Sequence, residues 1–387
     1  MIGGNLRHLR VFLAVAETGS VTRAAERCRV SQPAVTQAMA RLAALAGAPL
    51  LARAAGGFVP TEAGRVLERR ARRAFALLDA GLAEVAGRLV LTATRAPIDA
   101  LIATAGAQGF TLAARDLGVA QPTVHRAVAH LEREAGRPLF QRTPTGAVPT
   151  RAGAALARAA QLALVELDQT DAELGELFGR EVGRIVIGAM PLSRSYLLPK
   201  ALTAFRKGRP GMPVRVLEGT YDAMLGDLRR GEIDFLIGAL RAHAPVADVV
   251  QERLFDDDLV LLAGPGHPAL GRALTPAALH LWPWLVPRAG TPTRQQFDAM
   301  FAAAGLAPPR SLIETGSVLL MREVLRDGQH LACVSRAQAE GEIARGLVQV
   351  LDHAVPGGAR PIGLTTRAGW QPTPAQAALL SAIRAAC

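Results

Sequence analysis

An internal repeat in the N-terminal half constrains the fold of this chain more than any other feature. The segment from Val30 to Val35 (VSQPAV) recurs 89 residues later, from Val119 to Val124 (VAQPTV). The same displacement aligns residues 12–64 with residues 101–153 without a gap, and 23 of the 53 positions are identical. Chance matches in an alanine-rich chain do not keep one register over this length. The sequence therefore predicts two copies of one small domain.

Each copy has the pattern of a helix-turn-helix. In the first copy, apolar residues at helical spacing from Leu6 to Ala16 predict one helix, which the break at Gly19 ends. A short helix around residues 24–25 follows, with small side chains that allow close packing. Ser31 is a typical N-cap for a third helix, which ends near Gly47.

A two-stranded wing is predicted after the third helix. Apolar pairs at residues 50–51 and 58–59 flank a Gly56-Gly57 turn. One such segment alone could be a generic helical hairpin, but two copies with the same turn, helix and wing favour tandem winged helix-turn-helix domains. The predicted boundaries are a first copy at 1–65, a linker helix at 66–94, a second copy at 95–153, a linker helix at 154–180 and an α/β domain at 181–387.

The positive charge of the chain is concentrated in its N-terminal part. Residues 1–160 contain 21 Arg, no Lys and 10 acidic residues, whereas residues 161–387 contain 23 basic and 23 acidic residues. A basic module joined to a neutral one is what binding to a phosphate backbone requires. A basic surface that serves only solubility is the alternative explanation.

The remaining composition excludes several classes of protein. The three cysteines, at residues 28, 333 and 387, are odd in number and far apart, so they form neither a disulfide framework nor a zinc site. The chain shows neither a signal peptide nor an apolar run long enough to cross a membrane. We therefore expect a cytoplasmic protein with no membrane partner, no metal and no cofactor.

The first turn of each third helix carries side chains suited to base edges. Gln pairs with adenine, Arg with guanine, and Arg side chains in the wings suit phosphate. In the alignment of the two copies, Thr36 corresponds to His125 and Gln37 corresponds to Arg126. The copies therefore read different half-sites, or one copy no longer reads DNA. The candidate DNA-binding residues are Ser31, Gln32, Pro33, Thr36, Gln37, Arg53, Gln121, Pro122, Thr123, His125, Arg126 and Arg142.

Each copy continues into a long helix. The segments from Thr61 to Val90 and from Thr150 to Phe178 combine Ala, Leu and Val with charged positions. These helices could pair with each other or with another subunit. The arginines in segments 66–73 and 151–158 are expected to form solvated faces.

From residue 183 onward, the pattern is one of strands alternating with helices, which predicts an α/β domain. Residues 254–263 are expected to form two paired strands across three aspartates at 256–258, a solvated strand edge rather than a metal site. The other predicted strands are 184–189, 214–217, 234–239, 285–286 and 331–334, with helices after 193, at 223–230, 294–304 and 318–326.

This order of elements resembles the LysR-type transcriptional regulators over essentially the whole chain. The effector half is similar to the branch of that family that contains a regulator of a galactose-binding protein, through residues 190–199 and 283–288. The residues that carry the family resemblance are Ala24, Ala25, 30–34 (VSQPA), Gly47, 60–64 (PTEAG), 231–234 (GEID) and 266–268 (GHP).

The resemblance implies a fold and a set of partners. The expected fold is multidomain, with two winged helix-turn-helix domains followed by an α/β effector domain like the type 2 periplasmic binding proteins, whose two subdomains close on a ligand. The expected partners are double-stranded DNA, a small-molecule effector, further copies of the chain in a homodimer or homotetramer, and RNA polymerase.

The chain departs from the family in several places. The family ordinarily has one helix-turn-helix, and this sequence has two. Ala43 and Leu51 replace the usual Glu and Phe in the first copy, whereas Gly109 and Ala120 replace two usual Ser residues in the second. Each copy is thus imperfect in a different place. Our hypothesis is that both copies form a pseudo-dimer on DNA within one chain.

The resemblance places the ligand between the two subdomains, where Arg side chains and polar loops favour an anionic or polyhydroxy effector. A capping or surface role is the alternative for each residue. An enzyme fused to DNA-binding units and an architectural protein without a ligand are the rival functions, but no catalytic motif supports the first. The candidate effector-binding residues are Leu192, Ser193, Arg194, Thr220, Tyr221, Arg241, Arg288, Thr291, Thr315 and Ser317.

Overall fold

A computed structural model describes the chain except for residues 144–145 and 242–245. The side chain of Arg142, a predicted phosphate contact, also lies outside the described part. The chain divides into two compact units, residues 1–183 and 184–387. None of the helices in the described ranges is long and apolar enough to cross a membrane.

In the first unit the same order of elements occurs twice. We call residues 6–60 the first head and residues 95–149 the second head. The first series is α1 (Leu6–Thr18), α2 (Val21–Cys28), α3 (Gln32–Ala46), β1 (Leu51–Ala54), β2 (Gly57–Pro60) and α4 (Glu62–Val85). A short helix, α5 (Leu89–Thr92), leads to the second series: α6 (Arg95–Ala107), α7 (Phe110–Leu117), α8 (Gln121–Ala135), β3 (Phe140–Thr143), β4 (Gly146–Pro149) and α9 (Arg151–Leu177).

The wing of each head is fastened by equivalent hydrogen bonds. In the first head the amide of Phe58 donates to the carbonyl of Gly19 at 2.9 Å, and the amide of Thr61 donates to Leu50 at 3.0 Å. The residues 89 positions later make the same two bonds, at 3.1 and 2.9 Å. Gly64 is required beside this contact, because a Cβ there would lie 1.9 Å from the carbonyl oxygen of Leu50.

The long helices α4 and α9 pack against each other and join the two heads. One continuous cluster of buried side chains includes Leu9 and Leu131 from the heads and Leu78 and Leu156 from the long helices. Helix α4 ends at Val85, so the expected continuation to residue 90 was wrong. The chain becomes extended at residue 86 before the short helix α5 begins.

A buried arginine lies at the contact between the long helices. The Arg70 side chain is 1% exposed, and it donates to Glu166 at 2.7 Å, to Gln169 at 2.7 Å and to Glu173 at 3.1 Å. The prediction of a solvated face for segment 66–73 was therefore wrong for Arg70. The free-energy cost of removing its charge from water is offset by hydrogen bonds to acceptors on the opposite helix.

The described residues of the second unit form two five-stranded sheets. Its elements up to the second sheet are β5 (Ile185–Ala189), α10 (Pro191–Ser195), α11 (Leu197–Gly208), β6 (Val214–Leu217), α12 (Tyr221–Arg230), β7 (Phe235–Ala239) and β8 (Val249–Asp257). The remaining elements are β9 (Leu259–Ala263), α13 (Pro276–Leu279), β10 (Trp284–Val286), α14 (Pro292–Ala302), β11 (Leu312–Glu314), α15 (Val318–Leu325), β12 (Leu331–Ser335), α16 (Arg336–Ala344), β13 (Gln349–Val350), β14 (Arg360–Arg367) and α17 (Pro374–Ala385).

The chain passes between the two sheets twice. The first sheet has the order β6-β5-β7-β14-β8, and the second has the order β11-β10-β12-β9-β13. Strands β5, β6 and β7 are parallel, and β14 runs antiparallel to both of its neighbours. The predicted pairing within residues 254–263 was wrong, because β8 and β9 belong to different sheets. The sequence also gave no prediction of β14, which lies inside the first sheet.

A buried ion pair lies where the chain crosses between the sheets. Asp257 at the end of β8 accepts a hydrogen bond from Arg360 at the start of β14, at 2.8 Å. The other carboxylate oxygen of Asp257 accepts from the amide of Ala337 at 3.0 Å, and Arg360 also donates to the hydroxyl of Thr293. The expectation of a solvated strand edge was thus wrong for Asp257, which holds both crossing strands against α14 and α16.

Replacing Arg70 by alanine tests how much the long-helix contact contributes. We expect Arg70→Ala to lower the free energy of unfolding by about 3–5 kcal/mol, because Glu166 and Glu173 stay buried without this partner. Urea unfolding of the full chain, followed by circular dichroism, measures the change.

The matched control for this substitution is Arg72→Ala, on the same helix. Arg72 is exposed and pairs with Glu68 one turn away, so its loss costs no more than about 0.5 kcal/mol. Equal effects of the two substitutions would show that the buried cluster does not stabilise the helix pair.

Candidate functional site

Helix α3 presents the predicted DNA contacts of the first head on one face. Val35, Ala38 and Leu42 point into the protein and are buried. The side chain of Ser31 caps the helix by accepting from the amide of residue 34 at 3.4 Å. The opposite face is exposed and, together with Val21 from α2, forms a shallow groove lined by Gln32, Pro33, Thr36, Gln37 and Ala40.

Helix α8 presents a different surface in the second head. Its exposed residues near the N-terminus are Gln121, Pro122, Thr123 and Arg126. His125 is half-buried, and its ring makes an edge contact with Phe110 at 5.2 Å between centroids. The Nε of Arg126 donates to the carbonyl of Pro122 at 3.3 Å. Both helices therefore bring their predicted residues together, but His125 is partly withdrawn.

The wings contribute one described arginine. Arg53 lies on β1, is exposed, and has its guanidinium 5.9 Å from the centre of the Phe58 ring. The backbone of Arg142 pairs with Ala147 in the equivalent hairpin, and its side chain is not described. Arg53 thus lies on the exposed surface of the wing, with its guanidinium near the Phe58 ring.

The family departures have physical consequences at the helix ends. The hydroxyl of Ser20 caps α2, as Ser31 caps α3. In the second head, Gly109 and Ala120 occupy these positions and neither supplies a side-chain cap. The backbone at Ala120 (φ −70°, ψ 141°) nevertheless matches that at Ser31 (φ −73°, ψ 152°).

The first head lacks a different support. In the second head a carboxylate oxygen of Glu132 accepts from the amides of Leu139 and Phe140, at 2.8 and 3.1 Å. Ala43 stands at the equivalent position of the first head and has no acceptor to offer. We call α3 and α8 the recognition helices of the two heads. The Ser31 cap of α3 has no equivalent in the second head, and the Glu132 acceptor on α8 has none in the first.

The predicted effector residues form two groups, each at the carboxyl edge of a sheet. In the first sheet Ser193 and Arg194 follow β5, Thr220 and Tyr221 follow β6, and Arg241 follows β7. In the second sheet Arg288 and Thr291 follow β10, whereas Thr315 and Ser317 follow β11. The carboxyl edge of parallel strands is where open α/β sheets bind ligands.

Arginines of the first group are held by neighbours. The guanidinium of Arg241 stacks 4.3 Å from the centre of the Tyr221 ring. Burial raises the pKa of Tyr221, and the charge of Arg241 partly opposes that rise. Arg194 forms an ion pair with Glu218. Both arginines are thus positioned at the sheet edge while remaining partly exposed.

Ser193 does not offer the free donors that the sequence led us to expect. Its amide and its hydroxyl both donate to the carbonyl of Met190, at 3.1 and 2.7 Å. Ser193 and Leu192 are also buried. Ser193 therefore supports the turn after β5.

The second group consists mainly of helix caps. Thr291 caps α14 and Ser317 caps α15, each by accepting from a backbone amide. Thr315 accepts from the amide of Ser317 at 3.1 Å, and Arg288 is exposed. The hydroxyl of Thr291 donates its hydrogen to the carbonyl of Arg288 at 2.8 Å. In their described contacts Thr315 and Ser317 only accept, so their hydroxyl hydrogens can be donated to a ligand.

A residue that the sequence did not single out lies beside the point where the two groups meet. Gln338 on α16 is buried and donates to the carbonyl of Gly316, between Thr315 and Ser317, at 3.0 Å. A Cβ at Gly316 would lie only 3.6 Å from the ring of Pro191 in α10. The loop after β5 therefore meets the loop after β11. Helix α16 was not predicted, so the sequence offered no signal for Gln338.

The two motifs of the second half are structural. Asp234 accepts from the amide of Val186 at 2.8 Å, and burial raises the pKa of this carboxyl group. The Nδ1 of His267 accepts from the amide of Ala269 at 3.0 Å, beside the Trp282 ring. Asp234 thus ties the start of β7 to β5, and His267 holds the turn that follows β9.

Comparison with known families agrees with this arrangement. Residues 178–387 match the family described as "LysR substrate binding domain". Residues 6–65 and again residues 97–154 match "Bacterial regulatory helix-turn-helix protein, lysR family". The chain belongs to the LysR family. The recognition made from the sequence motifs is thereby confirmed, and this LysR-family chain is a DNA-binding transcriptional regulator with an effector-binding domain, not an enzyme.

Individual relatives are regulators too. The chain is 39% identical to the HTH-type transcriptional regulator GalR of Pseudomonas putida, over 98% of this chain and 96% of that protein. It is 28% identical to the regulator GbpR of Azospirillum brasilense, over 59% of this chain and 67% of that protein.

Solved structures share the fold at lower identity. LysG of Corynebacterium glutamicum with bound effector Arg has a TM-score of 0.55 and 21% identity, and covers 75% of this chain and 96% of that chain. Full-length CbnR complexed with target DNA has a TM-score of 0.50 and 21% identity, and covers 75% of this chain and 99% of that one. Each leaves part of this chain without a counterpart.

Restoring the missing cap of α8 should stabilise the second head. Ala120→Ser places a hydroxyl on backbone already suited to capping, so we expect a gain of about 1 kcal/mol in the free energy of unfolding. Ser31→Ala is the matched control and should lose a similar amount in the first head. Thermal unfolding of the full chain measures both, and a loss of stability for Ala120→Ser would contradict the capping argument.

Proposed function

We propose that this regulator binds its operator with both heads at once, as a pseudo-dimer formed within one chain. The contact between α4 and α9 carries the proposal, since it joins the heads in one hydrophobic cluster. The two helix-turn-helix matches support an origin by tandem duplication. We place the domains at 1–65, 66–94, 95–153, 154–180 and 181–387, the second and fourth being linkers formed mainly by the long helices α4 and α9.

Charge complementarity supports pairing between different helices rather than identical ones. Helix α4 supplies Arg69, Arg70 and Arg73 to the contact, and α9 supplies Glu166 and Glu173. Pairing α4 with a second α4 would bring arginines together, and pairing α9 with α9 would bring glutamates together. Like charges facing each other in a buried contact cost several kcal/mol. The helices are therefore complementary to each other and not to themselves.

The effector domain has the features of a two-part ligand clamp. We assign its two sheets to the subdomains of a type 2 periplasmic-binding-protein-like fold, with the ligand between them. Arg194, Arg241 and Arg288 lie at the carboxyl edges and favour a small anionic or polyhydroxy effector. The buried Asp257–Arg360 pair marks the crossing strands about which the subdomains would move. Ligand binding then shifts the population of arrangements in a homodimer or homotetramer.

Footprinting on the upstream region of its own gene tests the pseudo-dimer. The full-length chain is compared with Gln32→Ala/Gln37→Ala and with Gln121→Ala/Arg126→Ala. We expect each double substitution to remove one part of a long protected region and to weaken specific binding more than non-specific binding. If only one double substitution changes the footprint, the other head is a structural element and the pseudo-dimer proposal is refuted.

A thermal-shift screen tests the effector site. A panel of small carboxylates, polyols and sugars is added to the full-length chain, and a compound at 100 times its Kd stabilises by about 2.7 kcal/mol. Arg241→Ala should abolish the shift, while Arg384→Ala, which removes an exposed pair with Glu252, should preserve it. A compound that shifts the Arg241 variant as much as the wild type would place the site elsewhere.

A further inference from the structure

We infer that the two heads prefer different base pairs, so that the operator has an A·T-containing half-site under α3 and a G·C-containing half-site under α8. This inference rests on the proposed use of both heads, and it adds the identity of the bases. It follows from two differences between the exposed faces of the recognition helices, one of shape and one of chemistry.

The shapes differ because two neighbouring positions change together. In the first head Val21 and Thr36 line the groove between α2 and α3. In the second head the residues 89 positions later are Phe110 and His125, whose rings are in contact. These two side chains are larger than Val21 and Thr36, and their rings contact each other. We therefore expect less open space beside α8 than the groove beside α3 provides.

The lining of the first groove suits A·T pairs. It contains Gln32 and Gln37 and no charged side chain, and its remaining lining residues are Val21, Pro33, Thr36 and Ala40. The apolar atoms suit the methyl group of thymine, and a glutamine amide can pair with N6 and N7 of adenine. The Gln32 amide is oriented by a hydrogen bond of 3.1 Å to the hydroxyl of Thr22.

The exposed face of the second helix suits G·C pairs. Arg126 stands where the first head has Gln37, and its side chain is exposed. Its Nε donates a hydrogen bond to the carbonyl of Pro122, so the terminal NH2 groups are the donors left for base contacts. Arginine paired with O6 and N7 of guanine is the commonest specific contact in the major groove. Because His125 is half-buried and Gln121 has the same counterpart (Gln32) in α3, Arg126 is the exposed side chain that distinguishes this face from that of α3.

Selection from a random DNA library tests the inference directly. The full-length wild-type chain should enrich two unequal half-motifs, one with an A·T step and one with a guanine. The variant Val21→Phe/Thr36→His/Gln37→Arg gives the first head the surface of the second, so it should enrich guanine in both halves. A duplex with two guanine half-sites should then be preferred by 10-fold or more over the wild-type operator, as one bidentate contact allows.

Two further variants serve as controls, one for the reverse exchange of surfaces and one for the added positive charge. Phe110→Val/His125→Thr/Arg126→Gln makes the reverse exchange and should remove guanine from the second half-motif. Glu26→Arg, on the exposed surface of α2, introduces the arginine found at the equivalent position of the second head. It should tighten binding to all sequences and leave the enriched motif unchanged.

The outcomes separate this inference from the proposal beneath it. A symmetric wild-type motif, or exchange variants that fold by circular dichroism and enrich the wild-type motif, would overturn the inference and leave the pseudo-dimer intact. A wild-type chain that enriches a single half-motif would refute the use of both heads, and the inference with it.

Discussion

The first unit depends on one buried contact, in which Arg70 of α4 is surrounded by carboxylates of α9. A guanidinium that is 1% exposed requires acceptors on several sides, and the paired arrangement of the long helices provides them. Each long helix is fastened to its own wing by equivalent bonds. The contact thus sets the relative placement of the two recognition helices as well as the stability of the helix pair.

Local signals explain how much of the fold could be predicted. The helices of both heads have clear periodicity and end in glycine or a cap, so their positions followed from the sequence. The acceptors of Arg70 lie 96 to 103 residues away in the chain, and no local pattern links them to it. The predicted strand pairing within residues 254–263 was wrong for a related reason. Two apolar runs separated by a polar stretch have the same sequence pattern whether they form a hairpin or belong to two different sheets.

The sites were predictable to different degrees. The DNA-facing residues lie on one face of a helix, and helical periodicity is enough to group them, although it cannot show that Phe110 partly covers His125. The ligand residues follow parallel strands, so their common edge could be foreseen. The hydrogen bonds of Ser193 to Met190 could not be foreseen, because they depend on the turn that the chain makes after β5. Gln338 donates to the backbone carbonyl of Gly316, which lies 22 residues away in the chain. No pattern in the sequence around Gln338 predicts that contact.

The joining of both heads in one polypeptide has a consequence for dosage. When two separate subunits must associate before they occupy a site, occupancy at low concentration rises with the square of the protein concentration. Two heads tethered in one chain stay at a fixed, high effective concentration relative to each other, however dilute the protein becomes. If both heads bind one operator as proposed, a single chain occupies both half-sites, so occupancy by single chains rises in direct proportion to copy number.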